Sequence, residues 1–249
     1  MTKEFFAQQM LSNLQSQQQC YPAMQPQDVD KLAFQGIPGV GHLLTSRESM
    51  AEFISAKMEG IPADRQISGL RSVPRLLVTI DGPCASGKTT LAHHLAAVFH
   101  AALIHTDDFV VPHAQKTAAR LAIPGGNCDA ERLVSEVLAP WKAGLPVQYR
   151  PYDCKAGCFA APVTLPSSQM LILEGSYCNL PVIRSFADIR FFLDAPWELR
   201  KLRLEQRESP ESLKRFEELW IPLENAYFTA YHLPDEGCIK ISDQQDQYG

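Results

Sequence analysis

Short apolar runs alternate with helix-like patterns along the chain from residue 74 onward. The first run, LLVTI at 76–80, precedes the segment KTTLAHHLAAVFH, in which Leu91, Leu95, Val98 and Phe99 recur at helical spacing. Later apolar runs are AALIHTDDF, QMLILEG, DIRFFLDA and GCIKIS. Because apolar strands that alternate with helices pack into a parallel sheet covered on both faces, the pattern predicts a doubly wound α/β fold.

The first part of the chain has a different pattern. Apolar residues recur at helical spacing in EFFAQQMLSNL, in DKLAF and in RESMAEFISAKMEG, while the intervening sequence is polar or rich in turn residues. We therefore divide the chain into a small helical N-terminal extension of unknown role, 1–72, and an α/β domain, 73–249.

Prolines interrupt the region between the second and third apolar runs. They are Pro140, Pro146, Pro151, Pro162 and Pro166. Since proline cannot donate a hydrogen bond to a strand ladder, this region predicts loops and a small hairpin over the sheet, within an insertion at about 123–168.

Composition and charge narrow the class of protein. The chain has 249 residues, of which 45% are hydrophobic and 20% are charged, and its formal net charge is −5. Such a charge argues against nucleic acid as the main partner, and no window approaches the roughly 18 consecutive apolar residues of a membrane span. The seven cysteines are scattered and no export signal is evident, so we expect a cytoplasmic protein with reduced thiols.

A glycine-rich segment between the first strand and its helix carries the clearest chemistry. Gly82, Gly87, Lys88 and Thr89 match G-x-x-x-x-G-K-[ST]. Glycines let backbone N–H groups point at phosphate oxygens, the helix adds its positive end, Lys88 adds a cation and Thr89 a hydroxyl for Mg²⁺. The predicted nucleotide-binding residues, called here the phosphate-binding loop, are Gly82, Pro83, Cys84, Ala85, Ser86, Gly87, Lys88, Thr89 and Thr90.

Acidic residues follow the other predicted strands. Asp107 and Asp108 end the second run and Glu174 ends the third. The carboxyl ends of parallel strands surround the ligand crevice, so these groups are candidates for a general base and for Mg²⁺ binding. Capping of the next segment is the alternative, chiefly for Asp108. Asp194 has a similar position but precedes a helix, and we interpret it as an N-cap.

The last predicted helix carries a row of arginines. Arg200, Arg203 and Arg207 are spaced three and four residues apart and therefore share one helix face. Such a face can bind phosphates and stabilise charge during transfer. The alternative is a solvated basic face that pairs with glutamates of the same helix.

With these residues assembled, 74–242 resembles the uridine kinase-like P-loop kinases, a group that also includes phosphoribulokinase, pantothenate kinase and nicotinamide riboside kinase. The resemblance rests on GPCASGKTT, DDF, GGNCDAERL, VLAPWKAGLPVQYRPYD, LEGSY and LDAPWELRKLRLEQR, in that order. It implies a P-loop NTPase fold with Asp107 as general base near Mg²⁺, and with Thr89 and Glu174 assisting the metal. The acceptor-binding residues that it implies are Asp107, Asp129, Tyr149, Arg150, Tyr152 and Asp153.

The resemblance also implies a lid, at about 197–216, that brings Arg200 and Arg203 over the triphosphate as catalytic groups together with Lys88. Val110 departs from the tyrosine that uridine kinases usually carry there, and the lid lacks their glycine-rich segment.

These features predict a kinase that uses ATP or GTP with Mg²⁺ and phosphorylates a hydroxyl of a small molecule, with a nucleoside as the favoured acceptor. One alternative is a kinase of a pantothenate-, glycerate- or sugar-like metabolite. A second is a nucleotide-responsive regulatory ATPase whose helical extension reports occupancy. The extension alternatively packs on the kinase domain or mediates homodimerisation.

Overall fold

The computed structural model describes residues 34–36, 47–59, 65–67, 70–72 and 75–243. Within these ranges, no helix has both the length and the apolar character needed to cross a membrane.

The strands form one main sheet and several short ladders. In chain order they are β1 (Phe34–Gly36), β2 (Arg65–Ile67), β3 (Leu70–Ser72), β4 (Leu76–Asp81), β5 (Ala102–His105), β6 (Gln148–Tyr149), β7 (Tyr152–Asp153), β8 (Cys158–Phe159), β9 (Val163–Thr164), β10 (Met170–Glu174), β11 (Ile189–Asp194) and β12 (Ile239–Asp243). The main sheet is six-stranded, in the order β1-β12-β11-β4-β10-β5. All its neighbours pair in parallel except β1, which runs antiparallel to β12.

Helices connect these strands. They are α1 (Arg47–Glu59), α2 (Lys88–Phe99), α3 (Ala118–Leu121), α4 (130–142), α5 (Pro181–Arg184), α6 (Trp197–Arg207) and α7 (210–230). Both α4 and α7 contain a turn of π-helix, at Val134–Leu138 and Phe216–Trp220 respectively. A 3₁₀ turn, Thr106–Phe109, follows β5 directly.

One face of the sheet packs against α1 and α2. Val78 and Leu193 point into an apolar cluster that includes Leu91 of α2. Met50 and Ile54 of α1 belong to the same cluster and are fully buried. Burying a side chain of this size typically stabilises a fold by about 1.5–3 kcal/mol, so α1 contributes to the core of the sheet.

The opposite face packs mainly against α4 and α7. Leu77 and Ile104 of the sheet share a cluster with Leu133 and Trp141 of α4 and with Tyr227 of α7. Successive residues of β4 therefore point to opposite faces of the sheet. This confirms the predicted doubly wound α/β fold with helices on both faces.

Three local predictions had different outcomes. The helix predicted in RESMAEFISAKMEG is present as α1. The helix predicted in DKLAF is wrong at its end, because Phe34–Gly36 is a strand whose backbone pairs with β12 at the sheet edge. Asp194 is not an N-cap, since α6 begins after Pro196 and the Asp194 carboxylate pairs with Lys240 at 3.5 Å. The helix predicted in EFFAQQMLSNL lies outside the described residues.

The proline-rich region forms hairpins, as predicted. Strand β6 pairs with β9 and β7 pairs with β8, each in a two-residue antiparallel ladder. These ladders lie outside the main sheet.

Candidate active site

The phosphate-binding loop connects β4 to α2 with a backbone that demands glycine at two points. Gly82 has φ 142°, and a Cβ atom there would lie 2.0 Å from the carbonyl oxygen of Leu193. Gly87 has φ 98° and immediately precedes α2. The motif glycines are therefore required by the turn itself, independently of any ligand.

The Lys88 side chain connects the end of the loop to its beginning. Its buried Nζ donates hydrogen bonds to the carbonyl oxygens of Gly82 and Pro83, both at 2.8 Å. The first N–H groups of α2 have no side-chain cap, and a helix of this kind leaves them without intrahelical partners. A cation and several backbone donors thus converge at the mouth of the loop, as phosphate binding requires.

The predicted lid arginines reach the same loop. Nη1 of Arg200 donates to the Cys84 carbonyl oxygen at 3.3 Å, and Nη1 of Arg203 donates to that of Ala85 at 3.1 Å. Arg207 forms an ion pair with Glu208 at 2.7 Å, in agreement with the solvated-face alternative for this residue. The structure therefore brings two of the three arginines to the loop.

An acidic group lies between the loop and β5. Glu174 is buried at the end of β10, and its Oε1 accepts a hydrogen bond from Thr89 Oγ1 at 3.0 Å. His105 Nδ1 lies 2.5 Å from the same oxygen. Burial alone would lower the pKa of His105, but the hydrogen bond and charge of Glu174 outweigh burial and raise it. Sequence reasoning missed His105, although His105 and Glu174 are register partners in adjacent strands.

The 3₁₀ turn after β5 presents the two aspartates differently. The Asp107 carboxylate is exposed, but many protein atoms lie close to it. The partial desolvation by these atoms, and then the negative charge of Glu174, raise the pKa of Asp107 to about 6. Asp108 accepts a hydrogen bond from the Tyr149 hydroxyl at 2.8 Å. Burial raises the pKa of Asp108. Asp107 therefore has the accessibility and the pKa of a general base, while Asp108 is tied to β6.

The oxygen groups at this edge fit a magnesium ion. Thr89 and Glu174 are in direct contact, and Glu174 acts electrostatically on Asp107. Mg²⁺ is usually bound by one or two carboxylates together with water and substrate phosphates, so a complete protein cage is not expected. Accordingly, the described residues contain no group of three or more His, Cys, Asp or Glu side chains arranged to enclose a metal.

Arg132 organises the predicted acceptor region and was missed by sequence reasoning. Its Nη1 donates to the Arg150 carbonyl oxygen at 2.6 Å and its Nη2 to that of Asp108 at 2.9 Å. Its guanidinium carbon lies 4.6 Å from the ring centre of Phe109 and 4.9 Å from that of Phe159. One side chain therefore joins α4, the 3₁₀ turn and the hairpins.

The predicted acceptor residues have structural partners as well. Asp129 caps α4, accepting a hydrogen bond from the Arg132 N–H at 3.1 Å. Arg150 donates from Nε and Nη2 to two carbonyl oxygens across the hairpin, and the Tyr152 hydroxyl accepts the N–H of His113. Asp153 accepts two N–H groups of the β7–β8 turn. Their contact with an acceptor remains a prediction.

The acceptor region lines a half-open pocket. Its volume is about 390 Å³, and Arg132, Tyr149, Arg150 and Phe159 are among its lining residues. Asp107 is not one of these lining residues, so the pocket lies beside Asp107 and not around it. Two of the lining residues, Arg132 and Tyr149, donate hydrogen bonds to Asp108, the next residue along the chain.

A second buried carboxylate lies at the end of β4 and bonds to the start of the loop. Asp81 is fully buried and accepts hydrogen bonds from the N–H of Gly82 (2.7 Å), the N–H of Asn179 (2.9 Å) and the hydroxyl of Tyr227 (2.7 Å). Burial raises its pKa from 3.8 to about 6, against the opposing effect of these hydrogen bonds. The end of β4 is therefore fixed by α7 and by the segment after β10.

Solved structures share this architecture. No protein-family model matches the chain, and no curated protein matches it. The D-glycerate 3-kinase of Cryptococcus neoformans superposes with a TM-score of 0.58 at 14% identity, covering 82% of this chain and 97% of that one. A candidate fructose transport system kinase of Silicibacter sp. TM1040 gives 0.57 at 19% identity, covering 74% and 95%. YFH7 of Saccharomyces cerevisiae, a candidate P-loop kinase with a circular permutation, gives 0.61 at 10% identity, covering 80% and 100%.

The chain has an α/β fold of the P-loop NTPase type, as these solved structures do. At these identities the similarity establishes the fold alone, and it confirms the fold that the sequence resemblance implied. Within this fold, the loop, Glu174 and the 3₁₀ turn with Asp107 all lie at the carboxyl ends of parallel strands, where ligands bind in open α/β sheets.

Proposed function

We propose that this protein is a kinase that transfers the γ-phosphoryl group of ATP or GTP, with Mg²⁺, to a hydroxyl of a small molecule. The observation that carries the proposal is the position of Asp107, an accessible carboxylate with a raised pKa on the same edge as Glu174 and Lys88. Hydrolysis and switching require no pocket for a second substrate, whereas the predicted acceptor region beside Asp107 lines a pocket of about 390 Å³.

The donor nucleotide would be held by the phosphate-binding loop. Its β- and γ-phosphates would meet the N–H groups at the start of α2, and Lys88 would exchange its two loop carbonyls for phosphate oxygens. Arg200 and Arg203 already lie against the loop and are placed to add positive charge. Thr89 and Glu174 would hold Mg²⁺, which neutralises phosphate charge when bound.

Asp107 would orient the acceptor hydroxyl and take its proton as the oxygen attacks. Its raised pKa makes it a better proton acceptor than an ordinary aspartate while leaving it ionised at neutral pH. Lys88 and the two lid arginines would stabilise the charge that develops on the transferred group.

A nucleoside is the favoured acceptor because the motifs around the phosphate-binding loop, DDF and LEGSY resemble the uridine kinase group. A hydroxy acid or a sugar is the alternative, supported by the structural neighbours named for D-glycerate and fructose. The regulatory ATPase and a homodimer formed through the extension remain further predictions, as does a cytoplasmic location.

A panel of nucleosides, pantothenate, glycerate and sugars would test the proposal through release of ADP. We expect at least one acceptor to raise ADP release above the basal rate. If none does, phosphoryl transfer is contradicted and the regulatory ATPase is favoured.

Asp107→Asn tests the assigned base. A positioned base contributes about 10²–10⁴-fold, so we expect turnover to fall at least about a hundredfold while nucleotide affinity is retained. Asp194→Asn is the matched control, because Asp194 also ends a parallel strand of the main sheet, β11, but pairs with Lys240. Unchanged turnover in Asp107→Asn would remove Asp107 from the mechanism.

A further inference from the structure

Helix α7 places a buried carboxylate against the phosphate-binding loop. Glu224 is 5% exposed, and its Oε2 accepts a hydrogen bond from the backbone N–H of Cys84 at 2.9 Å. Its Oε1 accepts a hydrogen bond from the Ser176 hydroxyl at 2.5 Å. One side chain of α7 therefore joins the loop to the segment that follows Glu174.

These contacts divide the loop into two parts. In the first part, the N–H of Gly82 points at Asp81 and that of Cys84 points at Glu224, while Pro83 has none. The carbonyl groups of Cys84 and Ala85 are bound by Arg200 and Arg203. In the first part of the loop, N–H groups and carbonyl groups are thus both bonded to side chains. The N–H groups at the start of α2 have no side-chain cap and are available for phosphate.

The same helix supports the segment after β10. Tyr177 follows Ser176 and has φ 80°, a conformation that side chains rarely adopt and that surrounding structure must maintain. Its ring packs on Tyr227 of α7 with centroids 5.0 Å apart. Tyr227 and Glu224 lie three residues apart on one helix face, so α7 holds both the loop and the turn beside Glu174.

We propose that Glu224 is a positioning residue for nucleotide binding, which fixes the first part of the phosphate-binding loop and couples it to the turn after Glu174. The inference rests on the proposed nucleotide site. It does not depend on the identity of the acceptor, because Glu224 acts through backbone groups of the loop.

Two substitutions in the full chain separate this role from simple packing. Glu224→Gln keeps an oxygen for the Cys84 N–H and gains an amide that can donate to Ser176, whereas Glu224→Leu has similar volume but neither bond. Glu217→Leu is the matched control, since Glu217 is exposed on the same helix. Affinity for a non-hydrolysable ATP analogue with Mg²⁺ would be measured by calorimetry, and folding by thermal unfolding.

We expect Glu224→Leu to weaken analogue binding at least about tenfold, because a buried donor of the loop loses its partner. Glu224→Gln should stay within about threefold of the original protein, as should Glu217→Leu. Amide hydrogen exchange should also accelerate at Cys84 in Glu224→Leu and not in the other two. A general loss of stability would not confine the change to this peptide.

If Glu224→Leu does not fold, Glu224→Asp replaces it, since a carboxylate shortened by one methylene cannot span Cys84 and Ser176 together. A folded Leu or Asp variant that binds the analogue like the original protein overturns the inference, whatever its transfer activity. Failure of the original protein to bind any nucleotide contradicts the proposed function and the inference together. Binding without transfer to any acceptor contradicts only the proposed function.

Discussion

Two regions of the molecule meet at Asp107 and are built in different ways. The donor side, residues 81–90, is a short loop whose backbone is fixed by buried carboxylates and by arginines from the lid. The acceptor side, residues 106–165, combines helices α3 and α4 with turns and two-residue strands, and its arginines bond backbone carbonyl groups of different elements.

The difference indicates how each side tolerates change. Substitutions in the first part of the donor side disturb a backbone whose donors and acceptors are already bonded to neighbouring elements. On the acceptor side the hairpin frame is supported by a few guanidinium groups, so lining residues can vary while the frame persists. Under the proposed function, the acceptor could therefore change through the lining residues while the donor side stays the same.

Glycine substitutions should show the largest difference in stability between the donor side and the acceptor side. Gly82→Ala places a Cβ atom 2.0 Å from the Leu193 carbonyl oxygen, a backbone atom that cannot move aside. We expect a loss of at least about 4 kcal/mol in the free energy of unfolding, or no folded protein. Gly144, on the acceptor side, also has positive φ, but among the described residues a Cβ atom there would meet only the Arg75 side chain, at 3.8 Å, so we expect Gly144→Ala to cost about 1–2 kcal/mol.

Urea unfolding of the two glycine variants provides the measurement. Equal losses in both variants would contradict the proposed difference in crowding between the two sides.

Arg132→Lys should produce an intermediate effect confined to the acceptor side. An ammonium group can bond two carbonyl oxygens, but it has no planar face that packs between Phe109 and Phe159 while it does so. We expect the acceptor KM to rise about tenfold and the unfolding free energy to fall by about 2 kcal/mol, with nucleotide affinity unchanged. Steady-state kinetics in both substrates test this, with Arg207→Lys on the lid as control. Equal effects on both KM values would show that the two sides are not separable.

Tyr227→Phe should have the smallest effect, and its size should depend on pH. Because Asp81 has a folded pKa of about 6 against 3.8 in its unperturbed state, its burial favours folding at low pH, and this stability is lost as pH rises from about 4 to 6. The Tyr227 hydroxyl stabilises ionised Asp81. Its loss should therefore cost about 1–2 kcal/mol at pH 8 and less at pH 5.

Urea unfolding at both pH values would measure this difference. Tyr231→Phe serves as the control, because the Tyr231 hydroxyl donates to an uncharged group, the Pro124 carbonyl oxygen at 3.4 Å, and its loss should show no pH dependence. If the loss of unfolding free energy in Tyr227→Phe is the same at both pH values, the Tyr227 hydroxyl does not stabilise the ionised form of Asp81.

The donor side could be predicted from sequence because its requirements are local. Gly82, Gly87 and Lys88 act within one turn of chain, so their spacing alone encodes the loop. Glu224, by contrast, lies 140 positions from its partner Cys84, and Arg132 lies 24 positions from Asp108. Contacts of that kind depend on how helices dock, and spacing along the chain does not reveal them.

The same reasoning explains the errors at the ends of elements. Phe34 was predicted in a helix from local apolar spacing, but the edge of β12 offers its backbone a hydrogen-bonding partner far away in sequence. Asp194 has the residue type of an N-cap, yet Pro196 delays the start of α6 by two residues. In the first case tertiary context overrides local propensity, and in the second a nearby proline decides where the helix begins.

Helix α1 has a practical consequence for anyone who shortens this chain. The resemblance to known kinases begins near residue 74, and a trimmed polypeptide would naturally start there. Removing α1 would take Met50 and Ile54 out of the sheet cluster and leave its apolar side chains facing water. Exposed surface of that kind promotes aggregation, so a soluble truncation should begin before residue 47.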